Sequence, residues 1–167
     1  AAQGGAFARN LVMPGVHGAT VGLISLGACG LAVARKLAPF GTRLIGYDPY
    51  APTSAAEALG VKLRDSLEDV FAEADVVSLH TPLLPETVGL ITGAHFRAMR
   101  PGAAFINTAR GAIVRENEMI AALRERPDLT AVLDVTDPEP PPANSPLYSL
   151  PNVVLTPHVA GAVEREC

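Results

Sequence analysis

The side chains best suited to chemistry are Asp48, His80, Arg110, Asp134, Glu139 and His158. Arg110 stands between Ala109 and Gly111, small neighbours that leave room around a guanidinium. A fixed guanidinium fork suits bidentate capture of a carboxylate, although an arginine that merely ties loops together gives the same pattern. His158 lies between Pro157 and Val159, with Ala160 and Gly161 just beyond. An imidazole titrates near about pH 6.5, which suits acid–base work, and a satisfied structural histidine is the alternative. Glu139 shifts that balance. It sits in the proline-dense segment Asp137-Pro138-Glu139-Pro140-Pro141-Pro142, whose restricted backbone could hold the carboxylate against the ring. Such a pair orients the imidazole and favours its charged form.

These residues act together only if the fold gathers them. Short apolar runs without polar alternation predict buried strands at Thr20–Ile24, Arg43–Tyr47, 61–63, 75–79, 103–107, 130–133 and 153–155. Helical segments are predicted between them, near 31–40, 53–59, from Ser66 onward, 94–99 and 116–126. Ser66 is an N-cap candidate with Asp69 three residues on. The loop His80–Thr87 is stiffened by two prolines. Alternating strands and helices predict an α/β fold of Rossmann type: a doubly wound parallel sheet of about seven strands with helices on both faces. Asp48 then ends the second strand, His80 follows the fourth, Arg110 the fifth, Asp134 ends the sixth and His158 follows the seventh. All five fall on the carboxyl rim, where ligands bind in such sheets.

The stretch Thr20 to Asp48 gives that rim a specific ligand class. A strand bends at Ser25-Leu26-Gly27-Ala28-Cys29-Gly30, and a helix, a second strand and an acid follow. This is a dinucleotide-binding pattern in its proper context. Gly27 lets the backbone approach a pyrophosphate, and Gly30 lets the helix pack close to the strand. The helix N-terminus presents N–H groups to the phosphates, with Ala28 and Cys29 in its opening. Asp48, roughly 20 residues beyond the turn, is placed to accept from ribose hydroxyls. Ser25 departs from the glycine that opens the motif, a departure that bears on cofactor affinity.

Composition narrows the classes further. Hydrophobic residues make up 49% and the formal net charge is −4 without a basic block, which argues against nucleic acid as a primary partner. No apolar run reaches the roughly 18 residues that a membrane helix needs. Cys29 and Cys167 match no metal spacing, and a reducing, cytoplasmic setting is expected. Cys29 is expected to be a small packing residue, His17 to be solvated and His95 to be exposed on its helix.

The chain resembles the coenzyme domain of the D-isomer-specific 2-hydroxyacid dehydrogenases. The resemblance runs from about Thr20 to Gly161. It is carried by Ile106-Asn107-Thr108-Ala109-Arg110-Gly111, by Leu133-Asp134-Val135 through Pro138-Glu139-Pro140, and by Pro151-Asn152-Val153 through Gly161. It implies NAD as cofactor and a small 2-oxo or 2-hydroxy acid as substrate. It also implies a catalytic set of Arg110, Glu139 and His158, and a homodimeric intact protein. By the same resemblance Asp48 is the adenosine-ribose acid and Asp134 holds the nicotinamide carboxamide. Thr108, Ala160 and Gly161 complete the nicotinamide pocket, and His80, Thr81 and Pro82 line the cofactor cleft, His80 as wall rather than acid. Residues 1–19 are read as a connector, 20–161 as the dinucleotide-binding domain and 162–167 as the start of a truncated helix. The substrate domain is expected to be missing, which would leave the fragment inactive. An NADH-sensing regulatory protein and an isolated dinucleotide-binding module are the alternatives.

Overall fold

Strand β1 (Thr20–Ile24) is buried along its whole length, as expected of a central parallel strand covered on both faces. In a computed structural model, which describes residues 16–161, it is the third strand of a seven-stranded sheet. The others are β2 (Arg43–Tyr47), β3 (Val61–Leu63), β4 (Val76–Leu79), β5 (Ala104–Asn107), β6 (Thr130–Leu133) and β7 (Val153–Leu155). All pairings are parallel and the order is β3-β2-β1-β4-β5-β6-β7. The chain therefore reverses direction across the sheet between β1 and β4, and a crevice opens at their carboxyl ends. The sequence expectation of a Rossmann-type α/β sheet is met. The helix predicted over 162–167, and most of the predicted connector, lie outside the described residues.

Period-two alternation sorts the side chains of β1 to opposite faces. Val21 and Leu23 pack with Leu44, Val61 and Ala34 beneath α1 (Ala28–Leu37) and α2 (Thr53–Glu57). Ile24 joins the larger cluster on the other face, with Phe71, Phe96, Phe105, Met119 and Leu133. There α3 (Leu67–Glu73), α4 (Gly93–Ala98) and α5 (Glu116–Glu125) cover the sheet. Ser66 caps α3 as predicted, its Oγ accepting from the Asp69 amide at 3.1 Å.

Three expectations change. Helix α1 begins at Ala28 rather than Leu31, and ends at Leu37 before a 3-10 turn, Ala38–Phe40. Pro39 lacks the N–H that would continue the α-helical ladder. His95 is buried, at 7% exposure, because α4 is wedged between α3 and α5. Its ring stands 5.0 Å from that of Phe71 and its Nδ1 accepts from the Thr92 amide at 3.0 Å. Cys29 is exposed rather than packed, because it lies on the solvent side of the first turn of α1.

Candidate active site

The bend after β1 is held from three sides. Ser25 takes a left-handed backbone, φ 71°, and its amide donates to the Tyr47 carbonyl at 2.9 Å. The Leu26 amide donates to Asp48 Oδ2 at 2.7 Å. Ser25 Oγ lies 2.9 Å from Thr81 Oγ1, across the crevice on the loop that follows β4. Gly30 then presses onto the turn: a Cβ there would sit 2.1 Å from the Ser25 carbonyl oxygen. Gly27, by contrast, has open space where its Cβ would be, and caps α1 without a side-chain bond. The amides of Ala28, Cys29 and Gly30 belong to the first turn and lack the intrahelical acceptors that later residues have, an arrangement that can take an anion.

Asp48 holds the backbone of the bend after β1 and of the turn after β2. Its Oδ2 holds Leu26, and its Oδ1 accepts from the amides of Tyr50 at 2.8 Å and Ala51 at 3.0 Å. A carboxylate offers about four acceptor positions, so a lone pair remains for a hydroxyl. A cavity of about 420 Å³ opens beside it, lined by Ser25, Asp48, Tyr50, Thr81, Pro82 and Leu84. His80 also lines it. Burial holds its imidazole below the ordinary histidine range, and its Nε2 meets Ser78 Oγ at 3.0 Å. Structurally it is wall.

At the other half of the rim, Asn107 ends β5 and shapes the turn that carries Arg110. Its Oδ1 accepts from the Ala109 amide at 3.0 Å and its Nδ2 donates to the Arg110 carbonyl at 3.1 Å. Nothing in the sequence reading singled out Asn107, although a buried Asn at a strand end is a recurrent turn device. Gly111 lets this turn approach the next one, since a Cβ would lie 2.1 Å from the Thr136 carbonyl. Thr108 and Arg110 are exposed, Ala109 is half-buried, and Arg110 Nη1 donates to the Ala109 carbonyl at 2.6 Å.

Asp134, 4% exposed, organises the segment after β7. Its Oδ1 accepts from Thr156 Oγ1 and from the Val159 amide at 2.9 Å, and its Oδ2 from the Ala160 amide at 2.8 Å. Burial pushes its carboxyl up, but those three donors, with the nearby His158, outweigh burial and hold it below the usual aspartate range. The His158 amide donates to the Asp134 carbonyl at 3.0 Å, and His158 itself takes a left-handed backbone, φ 54°. Its Nδ1 lies 2.6 Å from Glu139 Oε1. An ionised carboxylate can only accept, so in this pair Nδ1 carries the proton and Nε2 is the other ring nitrogen, outside the pair. A second cavity, of about 400 Å³, is lined by Asp134, Glu139, Tyr148, Thr156, Pro157 and His158. Tyr148, whose hydroxyl donates to the Pro141 carbonyl at 3.2 Å, is a wall residue absent from the sequence reading. Gly161 is exposed at the end of this segment.

A parallel sheet with its switch point between β1 and β4, a helix start there without a side-chain cap and an acid ending β2 define a nucleotide-binding α/β domain. Residues 2–160 match the family described as D-isomer specific 2-hydroxyacid dehydrogenase, NAD binding domain. The chain belongs to that family, and its cofactor is NAD. It is 40% identical over 150 residues to a D-3-phosphoglycerate dehydrogenase of Methanocaldococcus jannaschii, covering 90% of this chain and 28% of that protein. It is also 40% identical over 149 residues to an (S)-sulfolactate dehydrogenase of Chromohalobacter salexigens, covering 89% of this chain and 48% of that one. Among solved structures, the holo form of Rhodotorula graminis D-mandelate dehydrogenase superposes with a TM-score of 0.79 at 36% identity, over 87% of this chain and 42% of that one. The chain thus spans between about a quarter and a half of the length of these relatives. Among the described residues no helix is long and apolar enough to cross a membrane.

Proposed function

We propose that this domain serves an oxidoreductase moving a hydride between NAD(H) and a small 2-oxo or 2-hydroxy acid. The observation that carries the reading is the His158–Glu139 pair, 2.6 Å apart on the carboxyl rim of a NAD-binding sheet. When bound, the nicotinamide supplies or accepts the hydride. Arg110, on the neighbouring β5 loop, grips the substrate carboxylate and polarises its ketone. His158, held at Nδ1 by Glu139, gives a proton from Nε2 to the developing alkoxide and takes it back in the oxidative direction. Asp48, Thr81, Pro82 and the amides of Gly27, Ala28, Cys29 and Gly30 hold the adenosine and phosphate half. Thr108, Ala109, Asp134, Ala160 and Gly161 frame the nicotinamide half.

The same proposal assigns residues 20–161 to cofactor binding and leaves enclosure of the substrate to a separate domain. The half-exposed side chains of His158 and Glu139, at 44% and 41%, support that division. An open site screens charge, and loose positioning costs rate steeply, on the order of 10²-fold per 1 Å of misplacement. The chain alone is therefore expected to bind NADH without appreciable turnover. Homodimeric assembly and a reducing, cytoplasmic setting belong to the same reading, the latter in keeping with the exposed free thiol of Cys29.

The test joins this chain to the substrate domain of a D-3-phosphoglycerate dehydrogenase and follows NADH oxidation with glyoxylate, hydroxypyruvate and pyruvate. Turnover on at least one of them is expected, with His158→Asn lowering kcat by about 10²–10⁴-fold. A folded hybrid that binds NADH but turns over equally well with Asn at 158 would overturn the assignment. One that binds NADH and reduces nothing would favour an NADH sensor.

A further inference from the structure

Ser25 occupies a backbone conformation that glycine adopts freely and serine does not, with φ 71°. Non-glycine residues kept in such conformations cluster where the surroundings hold them for a purpose. Here the surroundings supply one specific contact, the 2.9 Å approach of Ser25 Oγ to Thr81 Oγ1. Thr81 is buried, at 5% exposure, and both residues line the 420 Å³ cavity beside the start of α1. The contact bridges the bend after β1 and the loop after β4, the two walls of the crevice at the switch point.

Hydroxyl arithmetic gives the bridge a second property. Each hydroxyl has one proton to donate and two lone pairs to accept with. In the pair, one hydroxyl donates to the other, and the acceptor keeps its own proton. Neither oxygen makes another hydrogen bond among the described residues. One O–H is therefore left over, at a cavity whose adjoining helix start already presents the uncapped amides of Ala28, Cys29 and Gly30.

We propose that Ser25 and Thr81 form a cofactor-positioning pair: their bridge sets the spacing of the two crevice walls, and its spare proton is donated to a diphosphate oxygen. This rests on the cofactor reading of the site. It gives Ser25 a role that glycine could not fill, in place of a simple loss of affinity. The ligand class is a dinucleotide or other nucleoside diphosphate, since the proton stands next to a helix start whose free amides favour an anionic acceptor.

The experiment measures dissociation constants of NADH, ADP-ribose and adenosine for the unmodified chain and for Ser25→Gly, Thr81→Val and the Ser25→Gly/Thr81→Val double variant. Circular dichroism confirms that each variant folds. Ser25→Gly and Thr81→Val should each weaken NADH and ADP-ribose about 3–10-fold, as expected for one hydrogen bond of ordinary strength. The double variant should lose little more than the worse single one, because both remove the same bridge. Adenosine, lacking the diphosphate, should lose less affinity than NADH and ADP-ribose in every variant. Losses that are equal for adenosine and NADH would mark the pair as structural only and overturn the proposal. So would dissociation constants that stay within twofold throughout. Failure of the unmodified chain to bind NADH would overturn the cofactor reading itself.

Discussion

Replacing Asp134 by Asn changes one atom of the side chain and removes its charge, which isolates what the carboxylate does. Three donors converge on it: Thr156 Oγ1, the Val159 amide at 2.9 Å and the Ala160 amide at 2.8 Å. An asparagine carbonyl can accept two of them, while its NH₂ group must face the third, donor against donor. One charge-assisted bond, worth about 1.5–3 kcal/mol, is lost, and the other two fall to neutral strength at about 1 kcal/mol each. Val159 and Ala160 are exposed, so water recovers part of this. A net cost of about 2–4 kcal/mol follows. For a domain of this size each kcal/mol moves Tm by about 2–4 °C, so the loss is on the order of 5–15 °C.

The pH dependence has a definite sign. The folded carboxyl of Asp134 is held below the ordinary value of 3.8. Its stabilisation is thus fully present above that value and is lost as pH falls through the lower folded value. The Tm gap between the two proteins should be constant from about pH 7 to 5 and narrow below about pH 4. Thermal melts across that range, with hydrogen exchange at the Val159 and Ala160 amides, make the assay. Exchange at both amides should accelerate in the variant at pH 7. Unchanged exchange and Tm would refute the anchoring role, as would a gap that persists undiminished in acid.

Asp48 at the end of β2 would repel a 2′-phosphate, and Pro49 rather than Arg follows it. NADH should bind more tightly than NADPH, with Asp48→Ser narrowing the gap mainly by weakening NADH; fluorescence titrations in which NADPH wins would refute this. Gly30→Ala places a Cβ 2.1 Å from the Ser25 carbonyl. The turn must shift, at a cost of about 1–3 kcal/mol, and NADH affinity should fall at least tenfold, whereas unchanged melting and binding would show that the close approach is dispensable. His80 is held below its ordinary value of 6.5 by burial. Stability should therefore decline as pH falls from about 7 toward the folded value, because the unfolded chain takes up the proton first. His80→Asn should flatten the pH 5–7 slope of Tm, and an identical slope would mean that His80 does not carry it.

The strands were legible because buried parallel strands are unbroken apolar runs between turn residues. Thr20–Ile24, Arg43–Tyr47, Val61–Leu63 and Val153–Leu155 appear with the bounds that such runs suggest. The carboxyl-rim placement of Asp48, His80, Arg110, Asp134 and His158 follows from strand direction alone once the sheet is parallel. Burial on short helices was less legible. His95 carries a polar ring on a six-residue helix too short for periodicity to show which neighbours enclose it. Cys29 looked like a packing residue because a place at the helix start does not show which side of the first turn meets solvent.

The deeper limit concerns the acids. Asp48 and Asp134 were both read as ligand acceptors, and both turn out to hold backbone amides of the loops around them. The two duties are compatible, because a strand-end carboxylate has more acceptor positions than either duty needs. Loop amides left unpaired at the rim would have to be solvated or bonded, and an acid at that position satisfies them while keeping a negative edge toward the crevice. Position and charge can be read from a residue string. How the lone pairs are divided depends on loop paths, which Gly111 and Ser25 decide through contacts distant in sequence and Asn107 through its own tight turn. The geometry of the rim is therefore set by residues that carry no obvious chemistry, and variants at Ser25 or Asn107 should disturb the site as surely as variants at the acids.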